Sequence, residues 1–215
     1  MRKMNLRTLL FIGITALIAF SFESCNKDKD EEPEEVTDGT ITDARDGKSY
    51  KTKKIGNQWW MAENLNYDAG VGSWIYDSLA LNAPIYGRLY DYWTACAVCP
   101  GGWHLPTDDE WFTLVNYLGG ANVAGGKLKQ AGFTLWLSPN TGATNSSGFS
   151  ALPGGYLSWV TNYDDFYNLG TKAMFWSSTS NKGNAWYWRV FYDNTSIEHV
   201  SYFQECGFSV RCVKN

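Results

Sequence analysis

Four cysteines fall into two pairs, Cys96 with Cys99 and Cys206 with Cys212, while a fifth, Cys25, stands alone near the start of the chain. The first pair is a C-x-x-C, and three chemistries compete for it. Four thiolates can hold zinc in a tetrahedron. A C-x-x-C thiol at a helix N-terminus has a lowered pKa and can exchange electrons. In an oxidising compartment the same residues form disulfides. Five residues separate Cys206 from Cys212, too many for a zinc-ribbon knuckle, and Pro100 and Pro106 stand between Cys99 and the helix expected after Thr107. That helix's dipole does not reach the sulfurs, so the disulfide reading prevails. Four cysteines allow three pairings. A bond from Cys96 or Cys99 to Cys206 or Cys212 closes a loop of roughly a hundred residues, worth about 4–5 kcal/mol in the chain-entropy picture.

Other reactive groups do not assemble into a catalytic set. His104, inside GWHLPT, is expected to hydrogen-bond backbone. His199 has Glu198 beside it, but consecutive strand residues face opposite sides. Asp108, Asp109 and Glu110 suit the N-terminus of a helix, and Asp164 and Asp165 fall in a polar loop. No Walker loop and no dinucleotide fingerprint is present. DARDG (43–47) reads as a β-turn, because a calcium loop needs ligands that do not follow it. The expectation is a domain with no catalytic residue, no metal and no cofactor.

The elements that must position these groups are short and aromatic-rich. YKTKKIGNQWWMAENL alternates around Gly56-Asn57 and predicts a hairpin. AWYWRVFYDNTSIEHVSYF predicts a second, turning at Asp193-Asn194, with Trp186, Trp188, Val190 and Tyr192 on one face and Tyr187 and Phe191 on the other. Both faces are partly apolar, so this hairpin should be central. Thr107 and Glu110 form a T-x-x-E capping box. Trp111, Leu114, Val115 and Leu118 then make one apolar stripe, ended by Gly119-Gly120. A shorter helix is expected from Gly126 to Ala131.

A basic lead (Arg2, Lys3, Arg7), an apolar run from Leu9 to Phe20 and small residues before Cys25 read as a secretory signal over residues 1–24. The run is too short to span a bilayer, which takes roughly 20 residues. FESC resembles a bacterial lipobox, making Cys25 the lipid anchor. Residues 25–38 are acidic and free of aromatics, and such a segment stays extended as a tether. Its acids beside the lipid cysteine resemble the surface-export signal of Bacteroidota lipoproteins, which implies outer-membrane display facing the cell exterior. The chain carries −4, of which the leader contributes +2 and the tether −5, leaving −1 for residues 39–215. So neutral a domain has no electrostatic case for nucleic acid.

Six blocks carry a resemblance: DARDGKSYKTKKIGNQWWMAENL, YGRLYDYWTA, CPGGWHLPTDDEW, GFSALPGG, FWSSTS and GFSVRCVK. In this order they are similar to the signature of the Fibrobacter succinogenes major paralogous (FISUMP) domain, across essentially all of 39–215. The resemblance implies a Cys99–Cys212 disulfide and, by exclusion, a second between Cys96 and Cys206. The family more distantly resembles the C-type-lectin-like fold of formylglycine-generating enzymes. That implies an irregular, loop-rich α+β domain with short antiparallel strands, one or two short helices, and its N- and C-terminal strands joined. Residues 186–205 contain no cysteine, whereas those enzymes use a copper-binding cysteine pair upstream of the terminal block. The activity therefore does not transfer, and neither do the sugar-contacting calcium signatures of C-type lectins, which are absent.

Sugar-binding proteins lay aromatic faces against pyranose rings and use nearby carboxylates and amides for the hydroxyls. Two loops suit this, 66–77 with Trp74 and Tyr76, and 158–170 with Trp159, Tyr163, Asp164, Asp165 and Tyr167. The expected function is non-catalytic binding of a glycan or a surface protein by a displayed lipoprotein. The alternatives are an assembly component of a surface complex and a divergent oxidase or hydrolase.

Overall fold

The computed structural model describes residues 37–159 and 165–215. Cys25 with the leader and tether up to residue 36, and the loop residues Tyr163 and Asp164, lie outside the described residues. Among the described residues no helix is long and apolar enough to cross a membrane. The architecture is α+β, mostly antiparallel strands with a few short helices.

The first sheet begins with β1 (Asp38–Thr42) and β2 (Ser49–Ile55), paired antiparallel. Between them DARDG closes as a turn: Gly47 N–H donates to the Asp43 carbonyl at 2.8 Å. The buried Asp43 carboxylate accepts from Arg45 Nε at 2.9 Å and from Nη2 at 2.6 Å. Gly56, at φ +60, returns the chain as β3 (Gln58–Met61), the hairpin expected at Gly56-Asn57. Beside β3 lies the last strand, β13 (Val213–Lys214), flanked in turn by β6 (Trp103–His104). The ends of the domain are therefore joined, as the resemblance implied. Cys99 and Cys212 are disulfide-bonded across 113 residues, tying the segment that leads into β6 to the residue before β13.

The second sheet is built on β9 (Lys172–Asn181), β10 (Asn184–Phe191) and β11 (Ile197–Phe203), with β10 in the middle. Period-two alternation gives each of its faces a core of its own. Trp188, Val190, Ala173 and Phe175 face a cluster with Trp60, Trp111, Leu114, Val115 and Phe149. Tyr187, Ala185, Met174 and Trp176 face another, with Tyr90, Leu105, Phe208 and Cys212. Only one strand of the hairpin is central: β10 has both faces buried, whereas β11 is the half-buried edge strand of the sheet. On the far side of β9 stand β12 (Phe208–Ser209), β5 (Leu89–Tyr90) and β4 (Ser73–Trp74), while β7 (Gly154–Ser158) pairs with β9 and with β8 (Asp165–Leu169).

Among the described residues four α-helices flank the sheets: α1 (Ala83–Tyr86), α2 (Tyr92–Ala97), α3 (Asp108–Tyr117) and α4 (Ala121–Leu128). α3 carries the Thr107–Glu110 capping box, with Thr107 N–H donating to Glu110 Oε2 at 2.8 Å, and buries its Trp111-Leu114-Val115 stripe. The helix expected at Gly126–Ala131 instead starts at Ala121 and is over by Lys129. Gly125 and Gly126 sit inside it because a Cβ there would collide with the Ser196 and Gly142 carbonyls. These glycines mark close backbone approach, not a helix start. The next residue, Lys129, is buried, and its ammonium donates to the carbonyls of Thr141, Phe191 and Asn194 at 2.9, 2.8 and 2.8 Å.

The second disulfide is not formed. Cys96 and Cys206 are free thiols, one exposed at the C-terminal end of α2 and the other buried in the aromatic core beneath the sheet. α2, which the sequence reading did not anticipate, rigidly places Cys96 on the outer side. Burial of the sulfurs pushes both thiols up, and the carbonyl end of a helix does not favour a thiolate.

Candidate functional site

Of the eleven tryptophans, only Trp93 and Trp159 are exposed, at 54% and 52%. Both line the same cavity of about 190 Å³, together with Trp74, Val71, Gly72, Asp91 and Glu205. Four separate pieces of chain meet here, and each is held by hydrogen bonding nearby.

Trp74 ends β4, in register with Leu89 of β5. Directly after β5, Asp91 caps α2 by accepting the Thr94 N–H at 2.8 Å, which directs Trp93 outward while Tyr92 and Ala95 face the core. Gly72, at φ +82, lies so close to this cap that a Cβ would strike Thr94 Oγ1 and the Asp91 carboxylate. On the other side, the end of β7 is pinned to the turn after β11 by reciprocal Leu157–Gly207 backbone bonds of 2.9 and 3.0 Å. The Tyr92 N–H donates to the Gln204 carbonyl at 2.9 Å and holds the same turn against α2. Trp159 and Glu205 are thereby brought opposite Trp93.

The cavity indoles differ from those of the core. Trp60, Trp111, Trp176 and Trp188 pack against neighbouring rings in tilted, edge-on or stacked contacts. Among the described residues, no ring or cation packs on Trp93 or Trp159, while Trp74 is half-buried against the cluster of Tyr76, Leu89 and Leu157. Val71 and Trp93 also border a shallower depression of about 450 Å³, lined by Arg45, Tyr67, Asp68 and Thr94. There the Arg45 guanidinium lies 3.8 Å over the Tyr67 ring.

Two predicted ligand residues, Trp74 and Trp159, thus come together although 85 positions apart in sequence. Tyr76 does not join them. It is buried with its ring 5.1 Å from Phe166, and burial pushes its phenol up. Tyr167 and Asp165 lie on β8, the Tyr167 hydroxyl donating to Asp165 Oδ2 at 3.2 Å, and line neither cavity. Trp93, Asp91, Val71 and Glu205 were missed. The signal for Trp93 was available: an Asp cap followed by apolar residues at Tyr92 and Ala95 is a short helix whose intervening residue points away.

Both histidines are held by side chains. His104 lies 2.6 Å from Asn215 Oδ1 and 2.8 Å from Glu110 Oε1, not on backbone as expected. His199 stacks on Trp186 and Trp188, with ring centroids 4.2 and 4.6 Å away. Asp108 Oδ2 is 3.0 Å from its Nε2 but outside hydrogen-bond geometry. Glu198 instead pairs with Arg189 at 2.7 Å, so the two neighbours do face opposite sides.

A model of the Fibrobacter succinogenes major domain matches residues 54–214. The chain belongs to that family. No curated protein and no solved structure matches it. The blocks that resemble the family signature converge on structural contacts. Arg211, of GFSVRC, donates to Asn64 Oδ1 of AENL at 2.6 Å and to the Phe149 and Ser150 carbonyls of GFSALPGG at 2.5 and 2.8 Å. Trp111, of HLPTDDEW, donates to the Trp176 carbonyl of FWSSTS at 3.4 Å. Trp93 and Asp91 sit in YGRLYDYWTA, whereas Trp74, Trp159 and Glu205 lie outside every block.

Proposed function

We propose that this chain is a surface-displayed lipoprotein whose domain binds a ligand without catalysis, through the cleft of Trp74, Trp93 and Trp159. The observation that carries the reading is the convergence of the only two exposed tryptophans on one cavity. Exposed indoles cost hydration free energy, and a fold that buries the other nine wholly or in part gains nothing from leaving these two out. The ligand class is a glycan or a surface protein. The lipobox-like FESC and the acidic tether support anchoring through Cys25 in the outer membrane. The joined terminal strands and the Cys99–Cys212 bond support a lectin-like fold.

Non-catalytic use is supported by the two cleft carboxylates. Asp91 is engaged as a helix cap, and Glu205 is exposed, so neither has the apolar enclosure a glycosidic general acid needs. Affinity electrophoresis of the chain in polysaccharide gels tests the reading. Retarded wild-type protein and unretarded Trp93→Ala and Trp159→Ala variants with unchanged melting are expected. Retardation indifferent to both substitutions, or mobility unchanged by every polysaccharide and surface protein tried, overturns it. A stoichiometric envelope partner lost on Trp159→Ala would make the cleft a docking point in a surface assembly instead.

A further inference from the structure

Resting on the reading of the Trp74–Trp93–Trp159 cleft as a binding site, we propose that what enters it is an alkylated ammonium headgroup. Three indoles around one small cavity form the lining that recognises quaternary ammonium, because the ring quadrupole attracts a cation lying over its face. Trp93 and Trp159 are exposed, Trp74 is covered on one side by the Tyr76, Leu89 and Leu157 cluster, and no cation of the described residues lies over any of the three, whereas Arg45, Lys172, Arg189 and Arg211 each lie over a ring elsewhere.

Charge points the same way. Among the described residues, Asp91 and Glu205 are the ionisable groups that line the cavity, and neither is in an ion pair. Asp91 Oδ1 is used by the α2 cap, which leaves Oδ2 facing Gly72 at the cavity wall. The cleft therefore presents negative charge on an apolar, aromatic wall. Among the described residues the lining offers a neutral sugar two carboxylate acceptors but no amide or hydroxyl side chain, and such a sugar brings no opposite charge to offset their desolvation. An alkylammonium instead meets carboxylate charge and indole faces together, and its methyl groups need no hydrogen bonds.

Size limits the ligand further. About 190 Å³ is below the roughly 300–1,000 Å³ of drug-sized sites, so the cavity takes a headgroup and not a whole molecule. The remainder has an exit past Val71 and Trp93 into the depression that Tyr67 and Arg45 border.

Isothermal titration calorimetry of the full chain with choline, tetramethylammonium and 3,3-dimethylbutan-1-ol tests this. The alcohol is the uncharged isostere of choline. Saturable choline and tetramethylammonium binding is expected, with the alcohol at least about tenfold weaker. Glu205→Gln should weaken choline several-fold and Trp93→Ala should abolish it, both with unchanged melting. Retention of the Cys25→Ala chain on phosphatidylcholine vesicles, competed away by free choline, would place the headgroup on lipid. Choline binding without such retention would place it on a soluble compound or glycan substituent. Alcohol binding as tight as choline overturns the proposal, as does the lack of a saturable response to either cation. If the cations fail while polysaccharide retention still depends on Trp93 and Trp159, the ammonium inference falls and the binding reading stands; if both fail, both fall.

Discussion

The guanidinium of Arg211 donates through Nε to Asn64 Oδ1 at 2.6 Å, joining positions 147 residues apart. The same side chain donates to the Met61, Phe149 and Ser150 carbonyls and lies 4.6 Å over the Phe149 ring, fully buried. Burial pushes its pKa down to about 9, which still leaves it charged at neutral pH. A planar fork with five N–H groups meets four acceptors on two distant chain segments, which a lysine ammonium cannot do.

Arg211→Met should destabilise the domain by about 3–5 kcal/mol, since it orphans a buried amide oxygen and three carbonyls. Arg211→Lys should recover only part of the loss. Urea denaturation measures both; a loss below about 1 kcal/mol for Arg211→Met would show that water replaces the fork.

The exposed and buried tryptophans should separate cleanly. Trp93→Ala and Trp159→Ala remove half-solvated rings and should shift stability by under about 1 kcal/mol. Trp111→Ala or Trp176→Ala empties a fully buried site and should cost about 3–5 kcal/mol. Comparable losses in both classes would mean that the cleft indoles are structural.

Thiol accounting checks the cysteine assignment. Without reduction, Cys96 should alkylate in the native protein, Cys206 only after denaturation, and Cys99 and Cys212 not at all. Mass spectrometry of labelled peptides reads this directly, and an unlabelled Cys96 in denaturant would restore the second disulfide. Cys99→Ala with Cys212→Ala should lose about 2–5 kcal/mol, the range for a long closed loop.

Asp43 sets a pH dependence. Hydrogen bonds from Arg45 hold its carboxyl below the usual carboxylate value of 3.8. A depressed folded-state pKa contributes stability that is fully present above 3.8 and lost as pH falls through the folded value. Asp43→Asn should lower stability at pH 7 by about 1–3 kcal/mol and flatten the acid limb of the stability curve. An acid limb identical to wild type would assign acid sensitivity to other carboxylates.

The proposed anchor has its own check. Cys25→Ala should move the protein from the membrane fraction to the soluble fraction of fractionated cells, and radiolabelled palmitate should no longer be incorporated. Retention in the membrane with no palmitate on the wild type would remove lipidation from the picture.

Much of the scaffold could be read from the chain because it is set locally. The Thr107–Glu110 box, the α3 stripe and the two hairpins depend on residues within a few positions of each other. The central place of β10 also followed, since apolar residues on both faces leave no side for solvent. Glycine was where local reading failed: Gly125 and Gly126 look like breakers until the Ser196 and Gly142 carbonyls are seen against them.

By itself the sequence determined the family, the class of fold and the cap and turn positions; its cysteines left three pairings open, and of the two bonds the family resemblance implied only Cys99–Cys212 is formed. Only the tertiary structure decided which tryptophans are spare. Eleven indoles are chemically alike, and whether one is core or contact surface depends on what the chain stacks over it. Tyr76 and Trp74 are two residues apart, yet Phe166 covers one while the other opens on a cleft completed by Trp93, Trp159 and Glu205. Likewise Cys96 and Cys99 are one helical turn apart in sequence, but the end of α2 sends one sulfur out and the other toward Cys212. Exposure and pairing are properties of distant neighbours, and those neighbours are chosen only when the sheets assemble.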